Sequence, residues 1–293
     1  MQNVLISTDC VADVPAEFVK KYNIGIIYYT IKTDSGEFRD TDEITAANIM
    51  EYLAGGTKKA LSVIPSLEDY RTFFEKSLTE YDRIIHISIS RGVSQACDNA
   101  ETACRQLGEK GSRIKVIDSR HLSSGQGLLV IEAGKLISQG KTWEETAEYV
   151  KELVPRVSTS FLSYNADYLY YNDKVSKFIM NLCNIFQLHP VLGMKDGRLT
   201  VTGFHMGKYE LAKKKYINKV TGNVKGIRKD LGFITYAGCT SKMLDDVMEK
   251  VQAKVGFDRL YEQPASATIS CNCGPNTFGV LYISNGDRED ADR

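Results

Sequence analysis

Short apolar runs alternate with amphipathic stretches through the first half of the chain. "NVLIST" (3–8), "IGIIYYTIK" (24–32), "DRIIHISIS" (82–90) and "RIKVIDS" (113–119) are rich in β-branched residues and too short for helices, so each predicts a buried strand. Between and after them lie segments of helical period. Phe18, Val19 and Tyr22 follow Asp13 as a candidate N-cap, with Pro15 in the first turn. Thr45 opens a helix after the turn in "SGEFRDTDEIT", and "SQACDNAETACRQLGEK", "GQGLLVIEAGKLISQG" and "TWEETAEYVKELVPRV", opened by Thr142, are further helices. Strands alternating with helices predict a parallel sheet, whose ligands bind at the strand C-terminal ends.

After Pro155 the alternation stops. "STSFLSY" reads as a strand, "KVSKFIMNLCNIF" as a helix, and "PVLGMKDGRLTVTG" as a hairpin turning at Asp196 and Gly197. "KYELAKKKYINKV" and "SKMLDDVMEKVQAK" are helices, and "LGFITYAG", "ASATISC" and "TFGVLYI" are strands. The expected fold is α/β with two domains: an N-terminal parallel-sheet α/β domain over residues 1–157 and a C-terminal mixed α+β domain over 158–286. The polar end "NGDREDADR" predicts a disordered tail over 287–293.

A length of 293 residues suits two domains of ordinary size. The 37 basic and 37 acidic residues cancel, and no long Lys/Arg run gives a footprint for nucleic acid or an anionic membrane. No apolar run approaches a membrane span and the N-terminus lacks a signal-peptide pattern, so a cytoplasmic protein without an integral membrane segment is expected. The seven cysteines, an odd number without framework spacing, read as reduced thiols. Cys271 and Cys273 stand two apart without a second ligand pair, so no metal site is expected.

Dinucleotide and nucleoside-triphosphate fingerprints are both missing, and "SSGQG" (123–127) is either a tight turn or an anion nest. Ser94, in "ISRGVSQA", stands where a strand hands over to a helix. It is either an N-cap or part of an anion site built from its hydroxyl and the helix's first N–H groups. Ser62 and Ser66 in "LSVIPS" could face the same sheet edge, and Ser90 offers another hydroxyl there. "GVSQA" also approaches the G-x-S-x-G elbow of α/β serine hydrolases or esterases, with Ser94 as nucleophile, but no histidine falls near the last strands. His86 reads as a packed core histidine. Asp9 and Asp118, at strand ends, either cap a helix or hold a loop, and Arg120 could orient an anion or pair with Asp118. The aromatic run "YNADYLYYND" (164–173) suits a cover over an apolar interior.

These motifs, in this order, resemble the DegV family, bacterial fatty-acid-binding proteins that include the carrier subunits of fatty acid kinase. "STDCVADVP" resembles the family's S-T-D-S-x-x-D-L-P, "FRDTDEIT" its F-x-D-G-x-D/E-I, and "LSVIPS" falls on T-S-Q-P-S. "ISRGVSQACDNA" falls on S-S-x-L-S-G-T-Y-Q-S-A, and "VIDSRHLSSGQGLLV" resembles V-I-D-S-x-x-x-S-x-G-x-G. "HPVLGMKDGRLTV" and "CNCGPNTFGVLYI" resemble K-P-I-L-x-x-x-D-G-x-L and the terminal H-x-G-P-G-x-x-G. The resemblance implies a non-catalytic carrier without cofactor, burying a long-chain fatty acid between two domains and presenting it to the ATP-binding subunit of a fatty acid kinase. It places the carboxylate on Ser62 and Ser94, with Ser90 in support and Asn272, Gly274 and Pro275 in the head-group loop. Departures are Val63 and Ile64 within T-S-Q-P-S, Gln95 and Ala96 after Ser94, Asn272 in place of His, Asn276 in place of Gly, and Met206 in the segment where the family is basic.

Overall fold

A computed structural model of the chain describes residues 3–54, 60–171 and 176–286. The expected tail at 287–293 lies outside them. In chain order the first elements are β1 (Val4–Asp9), α1 (Ala16–Tyr22), β2 (Gly25–Ile27), β3 (Thr30–Thr33), β4 (Gly36–Arg39), α2 (Ala46–Leu53), β5 (Leu61–Val63) and α3 (Leu67–Ser77). Then come β6 (Arg83–Ser88), α4 (Ala96–Gln106), β7 (Ile114–Asp118), α5 (Ser123–Ser138), α6 (Trp143–Leu153), β8 (Val157–Ser158), β9 (Ser160–Leu162) and α7 (Asp167–Tyr171). The last are α8 (Lys177–Ile185), β10 (Leu188–Lys195), β11 (Arg198–Met206), α9 (Tyr209–Val220), β12 (Ile227–Ala237), α10 (Ser241–Val255), β13 (Leu260–Pro264), α11 (Ala267–Cys273) and β14 (Thr277–Ser284).

β2, β1, β6 and β7 form a parallel sheet in that order. β8 to β14 form a mixed seven-stranded sheet, and β4, β3 and β5 a small antiparallel one. The α/β two-domain class expected from the sequence is the one observed. α5 packs against β1 and β6 on one side and against β12 and β14 on the other. Its residues 123–134 are all buried, which is why this helix has no single apolar stripe; Ser123, Ser124, Gln126 and Glu132 are polar groups buried with it. One hydrophobic cluster fills the space around α5, a second lies under α9 and α10, and a third joins Ile31 of β3 and Ile49 of α2 to Ala267 and Cys271 of α11.

Local signals read from sequence hold where the partners are three residues apart. Thr45 caps α2 and Thr142 caps α6, each in a reciprocal capping box. The β10–β11 turn falls on Asp196 (φ 50°) and Gly197 (φ 74°), the left-handed pair that an Asp-Gly hairpin turn requires.

Other expectations are corrected. Asp13 is not the cap of α1: it adopts a left-handed conformation (φ 48°), and Pro15 occupies the cap position. "IGIIYYTIK" is two strands, because Tyr29 leaves the parallel sheet to bond its N–H to the Cys10 sulfur at 3.2 Å, and its carbonyl accepts from Asp40 N–H at 2.9 Å. "SSGQG" is neither a turn nor a nest but the first turn of α5; a Cβ at Gly125 would strike the Thr159 hydroxyl and one at Gly127 the Ala12 carbonyl, so the glycines permit close packing. "ASATISC" is the helix α11, not a strand, capped by Ser266.

Candidate functional site

The C-terminal ends of β1 and β6 meet at a buried polar post. The Asp9 carboxylate accepts hydrogen bonds from Tyr70 Oη (2.5 Å), Ile89 N–H (2.7 Å), Ser88 Oγ (3.0 Å) and Gln126 Nε2 (3.2 Å). Burial pushes the Asp9 carboxyl up, but the nearby His86 and the donors Tyr70 and Ile89 outweigh it and hold it below its ordinary value. His86 shares a 3.0 Å bond with Ser7 and stands 3.7 Å from Asp9, with all three side chains fully buried. This Ser, His and Asp set is walled off from solvent and ties the ends of β1 and β6 together. Asp118 holds a loop, accepting from Arg120 N–H at 2.8 Å and Arg91 Nε at 3.3 Å, while the Arg120 guanidinium lies 3.7 Å from Asp196.

Ser94 is not the N-cap of α4; that position falls to Gln95, which makes no side-chain cap bond. The Ser94 hydroxyl instead accepts from Ala96 N–H (3.2 Å) and shares a 3.2 Å bond with the buried Tyr29 phenol. Ser62, on β5, sits opposite Ile31 of β3. Its hydroxyl shares a 2.9 Å bond with Thr268 Oγ1 of α11. Asn99 of α4 donates to Pro65 O at 3.0 Å and draws the segment after Ser62 against the Ser94 helix. Ser62 and Ser94 thus flank the Tyr29–Ile31 stretch, both half-buried. Ser66 caps α3 instead. Ser90 donates to Gly197 O at 2.5 Å, so its proton is spent on the β10–β11 turn.

The head-group loop expected from sequence lies at the other end of α11. Asn272 donates to Thr268 O at 2.8 Å and so meets the Ser62 side through Thr268. Gly274 has φ 77°, and a Cβ there would enter the ring of Tyr168, so this residue of the aromatic run packs against the turn. Pro275 packs on Gly238, and Tyr164 lies edge-on to Tyr209, 5.0 Å between ring centroids. Met206 is exposed at the end of β11.

Four residues that sequence reading did not single out for this site shape it: Tyr29, Thr268, Asp40 and Asp13. Asp40 accepts from Ala267 N–H and Thr268 N–H, both at 2.8 Å, and Asp13 accepts from Ser266 N–H at 2.7 Å and from the Ser123 hydroxyl. Carboxylates from the first half of the chain therefore satisfy the free donors at the start of α11. Burial raises the Asp40 carboxyl and pushes that of Asp13 up to about 7, against the lowering effect of these hydrogen bonds. The signal available was "FRDTDEIT", whose Asp40 follows a strand as Asp9 does. Between α11 and the seven-stranded sheet is an apolar cavity of about 10 Å³ lined by Phe161, Ala265, Ile269 and Cys273 among others.

Among the described residues no helix is long and apolar enough to cross a membrane, and no group of three or more His, Cys, Asp or Glu residues is placed to hold a metal. The protein is 26% identical to the DegV domain-containing protein TTE1491 of Caldanaerobacter subterraneus, over 96% of this chain and 99% of that one. Its fold is similar to that of a DegV family protein from Thermus thermophilus described as binding fatty acid, with TM-score 0.84, 21% identity, and 96% and 99% of the two chains covered. It is also similar to a stearic-acid-binding protein from Eubacterium ventriosum, with TM-score 0.80, 19% identity, and 97% and 98% covered. The DegV family model, described as one of uncharacterised proteins, matches residues 3–285. The chain belongs to the DegV family.

Proposed function

We propose that this protein is a non-catalytic carrier of one long-chain fatty acid, with the carboxyl group between Ser62 and Ser94 and the acyl chain in the apolar interior beside α11. The observation that carries the reading is the pair of half-buried hydroxyls on either side of Tyr29–Ile31, adjoining apolar side chains of β3, α2 and α11. A polar head leaving water requires directed partners, while each buried methylene contributes about 0.8 kcal/mol. Relatives of the same fold are described as fatty-acid-binding. The acyl chain enlarges the small cavity at Phe161 and Ile269 by parting the side chains that line it. The Gly274–Pro275 turn, under Tyr168, closes over the ligand, with Asn272 beside the head group.

The Ser94 hydroxyl meets a phenol and a backbone N–H, neither of which is a base that could take its proton. Phosphoryl chemistry on the bound acid would belong to a kinase partner, to which this protein presents its cargo. Native mass spectrometry of the purified protein tests the reading. One added acyl-sized mass, lost on organic extraction and regained with added fatty acid, is expected; a bare protein that takes up no fatty acid overturns it.

A further inference from the structure

His189 of β10 is buried between two aromatic rings and two carbonyl groups. Its Nδ1 lies 2.5 Å from Tyr164 O and its Nε2 lies 2.8 Å from Gly207 O. A carbonyl oxygen only accepts, and a neutral imidazole has one N–H whichever tautomer it takes. Both bonds are made together only by a ring that carries two protons, an imidazolium.

The two carbonyls belong to segments that close the proposed site. Tyr164 leads from β9 into α7, and α7 packs on α11, where Tyr168 meets Gly274. Gly207 follows β11 and leads into α9, whose Tyr209 donates its hydroxyl proton to Asn276 O beside the same turn. The rings of Tyr164 and Tyr209 stand 5.9 Å and 5.0 Å from that of His189. One imidazole therefore ties the segment over α11 to the hairpin end and, through Tyr209, to the Gly274–Pro275 turn.

The other titratable groups around this ring do not replace it. His205 faces His189 across the β10–β11 pair. Burial first, then the charges of Lys219, Lys215 and His189, hold His205 below its ordinary value, so it is the uncharged member of the pair at neutral pH. Burial pushes the Tyr209 phenol far up and the Cys239 thiol, after β12, up to about 12, so both stay neutral. Glu210 of α9 pairs with Lys213 at 2.8 Å, and Asp167 of α7 accepts from Asn165 at 2.7 Å and Asn184 at 2.9 Å. Among the described residues no carboxylate lies within ion-pair distance of His189, so the carbonyls of Tyr164 and Gly207 are what meet its charge.

We propose that His189 is a positioning residue whose second proton holds the segment over α11 closed, and that loss of this proton opens the way to the acyl chain. This rests on the carrier reading above and adds its regulation: cargo is kept at lower pH and exchanged as pH rises. The neutral ring bonds one carbonyl and turns a lone pair towards the other. Because the closed state holds one proton more, opening rises by up to about tenfold per pH unit while the ring titrates.

Two measurements on the full-length protein between about pH 5.5 and about pH 8.5 test this. Imidazole nitrogen NMR, with the His189 signals assigned by their loss in His189→Gln, follows the protons on the ring. Hydrogen exchange of residues 164–171, corrected for the intrinsic effect of pH, follows opening. Exchange should quicken with the same midpoint at which the His189 ring loses its second proton, release of myristic acid should quicken with it, and His189→Gln should show neither dependence. A ring with a single proton throughout, or exchange indifferent to its titration, overturns the inference whether or not ligand binds. Exchange linked to the ring in a protein that takes up no myristic acid supports the clamp and overturns the carrier reading alone.

Discussion

Ser90 donates its hydroxyl proton to the carbonyl oxygen of Gly197, 2.5 Å away across 107 residues of chain. The loop after β6 and the turn of the β10–β11 hairpin are thereby joined, and Gly92 completes the approach: a Cβ there would enter the Gly197 carbonyl.

Ser90→Ala should therefore act on stability more than on ligand choice. The lost bond and the unpaired buried carbonyl cost about 1–3 kcal/mol, to be read as a lower urea midpoint with unchanged fatty-acid affinity. Gly92→Ala should cost about 1–3 kcal/mol by forcing the hairpin off the loop. A midpoint unchanged in both variants would show that this contact does not hold the two halves together.

The Asp13 carboxyl, pushed up to about 7 by burial, makes stability depend on pH. Its folded value lies above the unfolded one near 4, so the folded state binds more protons between the two. The contribution is fully present below about pH 4 and is lost as pH rises through about 7. Asp13→Asn cannot titrate, so the difference in unfolding free energy between wild type and variant should shift steadily across this window in urea titrations. A difference constant with pH would refute the linkage.

Tyr70→Phe removes one donor from the buried Asp9 carboxylate while leaving its ring packing intact. A loss of about 1–3 kcal/mol is expected. The Asp9 carboxyl should also rise towards its ordinary value, observable by carbon NMR of the labelled side chain.

Thr142→Ala removes a cap whose hydroxyl accepts Glu145 N–H at 3.1 Å. About 1 kcal/mol of stability should be lost, recovered in large part by Thr142→Ser.

What could be read locally and what could not divide along a physical line. Thr45 and Thr142 were legible because a capping box is closed by residues three apart. α11 was not: "ASATISC" has the alternation and β-branched residues of a strand, and it is helical with its first donors taken by Asp40 and Asp13, more than 220 positions earlier. The strand β13, just before it, was not anticipated either; Leu260–Pro264 pairs along β12 in parallel, a partner 28 residues away. Ser62 and Ser94 could be named from their motifs, but their partners Tyr29 and Thr268 come from other elements and carry no local signature.

The α/β class, the parallel core of β1, β6 and β7, the capped helices and the Asp-Gly hairpin are local in origin, since each follows from periodicity or from groups within a few residues. Packing between distant segments settled which partners the buried polar groups meet. It turned Ser90 to Gly197, placed Asp40 behind Thr268 and Ser62, and made α11 a helix, because a buried polar group is satisfied by whichever partner packing brings within reach, whatever its distance along the chain.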